Sequence, residues 1–260
     1  MANQENARGE AKFLDMQAVV GVTKHIGGFE ATNELLTRCH IETAREVLNV
    51  GCGIGVGSAY VARKFGCHVV GVDISEKMIQ WSRQRAREEG VEPRVELRAA
   101  DVLDLPFETG RFDVVFAESV LIFVENKTQA IRECVRVTKP GGYVGLSEGF
   151  WTAQPSPDLL EQVRVAVGPC VPTLEAWQAL WEASGLQERV VKTFQIDART
   201  EIKSRIQWIG WGWLLRAWGR ALRLYFTNPE IRQAIKDTFD VPAGALDLLG
   251  YGLFVGKKPE

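Results

Sequence analysis

The stretch Glu46–Ser75, EVLNVGCGIGVGSAYVARKFGCHVVGVDIS, constrains the fold more than any other part of the chain. Val47–Val50 is a short apolar run of the kind that forms a buried strand. A turn follows in which Gly51, Gly53, Gly55 and Gly57 alternate with Cys52, Ile54 and Val56. Ser58–Phe65 has a helical pattern, and a second apolar run, His68–Val72, closes on Asp73. Strand, glycine turn, helix, strand and acid make half of a nucleotide-binding α/β unit. Glycine suits the turn because it takes φ > 0 without a Cβ clash, and its missing side chain lets a ligand lie on the backbone. An acid ending the next strand can accept both hydroxyls of a ribose, and Asp73 follows Gly51 at about the ~20-residue spacing expected for that role.

Spacing separates the cofactors that use such a unit. A dinucleotide fingerprint, G-x-G-x-x-G, started at Gly51, Gly53 or Gly55 ends on Val56, Ser58 or Tyr60, so none fits. No G-x-x-x-x-G-K-[ST] phosphate loop occurs. The stretch reads G-x-G-x-G, and here the chain resembles the class I S-adenosylmethionine (SAM)-dependent methyltransferases of the small-molecule type, whose first motif looks like VL-[DN]-x-G-C-G-x-G. The resemblance runs from about Arg45 to Trp151 and returns near the C-terminus. It implies a three-layer Rossmann-like α/β fold: a seven-stranded, mostly parallel sheet with an antiparallel last strand, plus a helical cap. It also implies SAM as cofactor and S-adenosylhomocysteine as product; three histidines and scattered cysteines give no reason to expect a metal. Many relatives carry an acid where this chain has Asn49, whose amide can hydrogen-bond but supplies no charge.

Further motifs follow in the family's order. Ser75 is the N-cap of a helix to Glu89, with Gly90 ending it. Arg94–Ala99 reads as a third strand, followed by Asp101 and Val102. LPFETGRFDVV leads into a fourth strand, Asp113–Ala117, which ends in Glu118-Ser119-Val120. Lys139-Pro140-Gly141-Gly142 reads as a tight turn into a fifth strand, Tyr143–Ser147. By resemblance, the cofactor site comprises Asn49, Gly51, Cys52, Gly53, Gly55, Asp73, Ile74, Met78, Asp101, Val102, Glu118 and Ser119. Asp101 would accept from the adenine amino group, Val102 would offer its N–H to the ring, and Met78 would pack on it. Ala117-Glu118-Ser119-Val120 stands where enzymes acting on nucleic-acid bases or amide nitrogens often carry [DN]-P-P-[YF], which argues against a nucleic-acid partner.

Composition narrows the remainder. The 260 residues suit one domain, and 46% hydrophobic residues support a substantial core. A net charge of −2 predicts no bulk attraction to nucleic acid or to anionic membranes. The cysteines Cys39, Cys52, Cys67, Cys134 and Cys170 form no C-x-x-C pair, and with a polar N-terminus they imply a cytoplasmic protein. The expected organisation is an N-terminal helical cap (1–44), a SAM-binding core (45–151) and a tryptophan-rich insertion (198–244). Two more strands are expected, at Arg189–Ile196 and Leu249–Gly256.

Within the insertion, Ser204–Phe226 reads as one amphipathic helix. Arg205, Arg216, Arg220 and Arg223 share a face, with Trp208, Trp211, Leu214, Leu215, Trp218 and Leu222 broadly opposite. It could bury its tryptophans in the core, line an apolar pocket as a lid, or lie in a membrane interface as a peripheral contact. Gly210, Gly212 and Gly219 suit a movable lid. Trp151, Trp208 and Trp211 are the candidate substrate-pocket residues. His25, in the turn Lys24-His25-Ile26-Gly27-Gly28, together with Glu118 and Glu148 are the candidate catalytic groups.

The expected activity is methyl transfer from SAM to a small, apolar or amphipathic acceptor such as a quinone, lipid, isoprenoid or polyketide-like molecule. The alternatives are a cationic amine or a phospholipid head group at a membrane surface, and, from other classes, an NAD-dependent oxidoreductase or a non-catalytic SAM-binding protein. Oligomeric state is left open.

Overall fold

A computed structural model describes residues 14–23, 25–167, 171–196, 204, 206–239, 245 and 247–260. Lys24, Cys170, Arg205 and the expected insertion limits at 198 and 244 lie outside them. A first helix, α1 (14–20), precedes α2 (Gly28–Arg38). The nucleotide-binding half follows as β1 (Glu46–Val50), α3 (Val56–Phe65), β2 (His68–Asp73), α4 (Glu76–Glu88) and β3 (Val95–Ala99). The second half holds β4 (Phe112–Glu118), α5 (Lys127–Val137), β5 (Thr138–Trp151), α6 (Pro157–Val167), α7 (Leu174–Glu182) and β6 (Gln187–Gln195). A helical turn α8 (206–209), α9 (Trp211–Thr227), α10 (Pro229–Phe239) and β7 (Leu249–Lys257) complete the chain.

The strands form one seven-stranded sheet in the order β3-β2-β1-β4-β5-β7-β6. β7 runs antiparallel to both β5 and β6, and the other pairings are parallel. Parallel strands carry helices on both faces, so both sets of alternating side chains are buried. On one face Val47, Val69, Val114 and Phe116 pack with α2, α3 and α4. On the other Leu48, Val70, Val115, Val144 and Leu146 pack with α5 and α7.

Local chemistry sets the helix starts. Ser75, Asn126 and Thr173 each accept a backbone N–H from three residues ahead, satisfying donors the first helical turn leaves orphaned. The Lys139–Gly142 segment differs from the expected turn. It is a bulge inside β5, because Phe112 pairs with Thr138 while Val114 pairs with Tyr143. The bulge keeps its hydrogen bonds: Gly141 N–H donates to the Lys258 carbonyl and Lys258 N–H to the Gly142 carbonyl. β5 therefore runs on to Trp151.

The expected single helix over Ser204–Phe226 is broken. Gly210, at φ 88° and ψ 138°, cannot continue an α-helix and separates α8 from α9. Trp208, before the break, turns into the core among His25, Phe29 and Tyr60. Trp211, after it, is exposed. Trp177 and Trp181 are core residues whose ring N–H groups reach the Gly149 and Val255 carbonyls.

Candidate active site

The strand order reverses between β1 and β4, and in open α/β sheets ligands bind outside the carboxyl ends of strands at such a point. A cavity of about 220 Å³ lies there. Val50 at the end of β1 and Gly51 after it, Val72 and Asp73 of β2, and Glu118 at the end of β4 and Ser119 after it form its floor.

Asp73 organises the glycine turn. Its Oδ2 accepts the Gly53 N–H and its Oδ1 the Ser75 N–H, both at 2.9 Å. Burial raises its carboxyl above the usual carboxylate range, while the Ser75 and Gly53 bonds pull it back. Each oxygen keeps lone-pair capacity for a further donor. Gly53 has φ 53°, and a Cβ there would sit 2.9 Å from the Thr23 hydroxyl. A Cβ on Gly51 would meet Val120 at 2.3 Å. The bare backbone thus lines the cavity because no side chain fits. Asp101 lies across from Asp73, accepting the Leu103 N–H, beside Val102 and Met78. Two acids at strand ends, a side-chain-free turn and flanking Met78, Ile74 and Val102 suit an adenosine: donors for the carboxylates, apolar contact for the ring.

Glu118 carries the other end. Its Oε1 accepts from the Thr32 hydroxyl at 2.5 Å, and the Nδ1 of His25 lies 3.9 Å away. His25 Nε2 is 3.3 Å from the same hydroxyl. Since Thr32 gives its proton to Glu118, Nε2 is the donor in that contact. His25 is buried behind Glu118 and does not line the cavity. Ser119, a non-glycine residue at φ 55°, is held in this left-handed conformation by its N–H bond to the Ser147 carbonyl and by its hydroxyl, which accepts the Ile26 N–H.

Glu148 does not reach the cavity. It is 0% exposed and accepts three backbone N–H groups, from Val120 (3.0 Å), Leu121 (2.8 Å) and Ile122 (3.3 Å). Its carboxyl is pushed up to about 7 by burial, against those three bonds. The sheet register explains the split between the two acids. Glu118 pairs with Ser147, so Glu148, one residue on, points to the opposite face. There it anchors the Leu121–Phe123 turn, and with it Val120 and Phe123 in the cavity wall.

Helix α1 roofs the cavity through Leu14 and Gln17, continued by Thr23. Side chains from α4 and α9 receive the carbonyls at and just past its C-terminal end. Trp81 donates to Ala18, Arg220 to Val20 and Trp213 to Gly21, at 2.7–2.8 Å. Arg220 stacks on Trp81, and Arg85 on Trp213. Arg85, itself buried, also bonds the carbonyl of Ile54 in the glycine turn and that of Ile209 in α8. Roof, cap and cofactor turn are thus joined by side chain-to-backbone bonds.

Of the residues expected from sequence, Gly51, Gly53, Asp73, Ile74, Met78, Asp101, Val102, Glu118 and Ser119 line the cavity. Asn49, Cys52 and Gly55 stand behind it. The Asn49 amide donates to Ser58, the Cys52 thiol contacts Ser82, and Gly55 caps α3. Trp151, Trp208 and Trp211 also lie elsewhere, Trp151 in a small cluster with Val163 and Ala245. The residues not anticipated are Leu14, Gln17, Thr23, Val50, Val72, Ser75, Ala100, Val120, Phe123 and Val124. Gln17 had a signal, a polar residue inside the apolar run of α1. Phe123 and Val124 follow the carboxyl end of β4, where ligands are expected.

The family described as methyltransferase domain matches residues 48–146, from β1 into β5. The chain is 31% identical over 172 residues to an uncharacterized protein of Haemophilus influenzae, covering 65% of this chain and 68% of that one. It is 33% identical over 158 residues to phosphoethanolamine N-methyltransferase 1 of Arabidopsis thaliana, covering 56% of this chain but only 32% of the plant protein. Among solved structures, phosphoethanolamine N-methyltransferase 2 of Haemonchus contortus, in complex with phosphomonomethylethanolamine and S-adenosylhomocysteine, superposes with a TM-score of 0.72. That match covers 95% of this chain and 57% of the other at 20% identity, a likeness of fold.

Proposed function

The chain belongs to the class I SAM-dependent methyltransferases, and from that premise we propose that it moves a methyl group onto a small, uncharged acceptor with an apolar or amphipathic body. SAM, when bound, supplies an electrophilic methyl group on a positively charged sulfur. Asp73 is placed to take the ribose hydroxyls, the backbone of Gly51 and Gly53 to lie along the chain of the cofactor, and Asp101 and Val102 to take the adenine. Glu118, at the far end of the same wall, orients the acceptor and takes its proton where the nucleophile carries one. Thr32 holds that carboxylate in place, and His25 Nε2 in turn holds the Thr32 hydroxyl. The α1 roof excludes water, and the remaining task is positioning.

The observation that carries the acceptor class is the composition of the wall. Leu14, Ile74, Val120, Phe123 and Val124 line it, and among the described lining residues there is no Arg, Lys or His. A phosphate-bearing acceptor, as in the name of the plant relative, would call for a cation to meet its charge. A second reading, a phosphate-free amine, is favoured by the Glu118 carboxylate at the same wall.

The test is release of S-adenosylhomocysteine across a panel of phenols, quinols, isoprenoids, simple amines and phosphoethanolamine. Turnover is expected with an uncharged apolar acceptor and is expected to fall ~10²-fold or more in Glu118→Gln where the nucleophile must lose a proton. Turnover confined to phosphoethanolamine would refute the acceptor class. Calorimetric titration with SAM and with NAD tests the cofactor separately.

A further inference from the structure

Helix α9 is amphipathic twice over. Trp213, Leu214 and Ala217 face inward, Ala217 packing against Met16 and Val20 of α1. A different face carries Trp211, Leu215, Trp218, Leu222 and Phe226, all between 57 and 73% exposed. Their spacing of four, three, four and four residues confines them to a strip about 80° wide at ~100° per residue. Beyond Gly212 and Gly219 on one flank come Arg216, Arg223 and Arg220; Arg216 is paired with Glu88 of α4 at 2.8 Å and Arg220 is tied to the Val20 carbonyl, leaving the exposed Arg223 as the cation the flank offers outward. The helix Trp211–Thr227 contains no Asp or Glu. A soluble surface seldom leaves five large apolar side chains, two of them tryptophan, in one continuous row.

We propose that this face of α9 docks the protein on an anionic lipid surface, lying in the plane of the interface. Tryptophan, leucine and phenylalanine on one side and Arg223 on the flank match the acyl boundary and the lipid phosphates above it. Seventeen residues extend about 25 Å, and no helix among the described residues is long and apolar enough to cross a membrane. A second copy of the chain fits the face less well. Two α9 helices related by a two-fold axis would bring their arginine flanks together with no acid in either helix, and the neighbouring Glu88 is already paired with Arg216. Nor is the row a wall of the cavity, since none of its side chains lines it. α9 does hold the roof, through the Trp213 and Arg220 bonds to α1. Docking therefore sets the covering helix of the cavity one element away from the lipid.

Vesicle flotation tests this with the whole chain, using phosphatidylcholine alone and phosphatidylcholine mixed with phosphatidylglycerol. Wild type is expected to float with the anionic vesicles and to lose affinity as salt rises. Trp218→Gln/Leu222→Gln should weaken partitioning at least ~10-fold, because both side chains would leave the acyl boundary. Arg223→Gln should weaken binding to anionic vesicles and flatten the salt dependence. Circular dichroism and SAM affinity should stay at the wild-type level in both, since all three residues are exposed. The proposal is overturned if wild type floats with neither vesicle, or if the double variant floats as well as wild type. It is also overturned if wild type sediments as a dimer that the double variant converts to monomer, which would make the row a self-association face.

Discussion

Replacing Glu148 by Gln separates a buried titrating acid from a neutral acceptor of the same shape. Oε1 accepts from Val120 and Leu121, a role an amide oxygen can keep, while Oε2 accepts from Ile122 at 3.3 Å, where an amide would present N–H to N–H. Losing that longest bond costs about 1 kcal/mol. The pH dependence is the larger effect. Burial lifts the carboxyl from 4.5 to about 7 in the folded state. The folded chain then holds a proton that the unfolded chain has released between those values, so stability falls as pH rises through that window. At about 1.4 kcal/mol per pH unit this amounts to about 3 kcal/mol, most of it lost between pH 5 and 8. With a urea slope of ~3 kcal/mol per M, the wild-type midpoint should drop by about 1 M relative to Glu148→Gln over that range. Wild type is expected to be the more stable at pH 5 and the less stable at pH 8, so the two profiles cross. Urea unfolding at pH 5, 6, 7 and 8, followed by tryptophan fluorescence, measures it. Parallel profiles would refute the view that Glu148 is held protonated in the folded protein.

Two further changes test the site. Asp73→Ala should weaken SAM by ~1.5–3 kcal/mol by calorimetry, through loss of charged hydrogen bonds to the ribose, and unchanged affinity in a folded variant would remove that role. Arg85→Leu leaves the carbonyls of Ile54 and Ile209 without their donor and should cost ~2–4 kcal/mol of stability. It should also speed limited proteolysis around Gly210; protection equal to wild type would mean that Arg85 does not tie the cap to the cofactor turn.

Much of the site could be read in advance because its signals are short-range. Asp73 follows the glycine turn at a fixed distance along one βαβ unit, and Ser75 and Thr173 cap their helices through neighbours three residues away. Asn49 and Cys52 sit within the same motif yet bond inward, to Ser58 and Ser82. Only the direction of each side chain from the strand and turn decides that, and a motif does not carry direction. The roof residues Leu14, Gln17 and Thr23 come from a segment whose docking rests on Trp81, Trp213 and Arg220, which are far away in sequence.

The sequence by itself determined the nucleotide-binding half and the strand-ending acids, because glycine sterics, strand periodicity and capping act within a few residues; the cofactor followed from the resemblance of its motifs to those of the SAM-dependent methyltransferases. Tertiary structure decided which acid serves the cavity and where the tryptophans go. In the sequence Glu118 and Glu148 look alike, each following an apolar strand run, but β5 continues past Glu148 to Trp151 and the pairing of Glu118 with Ser147 sends the two acids to opposite faces of the sheet. Trp208 and Trp211 share a face on a continuous helix. The break at Gly210 buries the first at 8% exposure and leaves the second at 58%. Both outcomes depend on how elements meet, through strand register and chain direction, and no local pattern of residues encodes either.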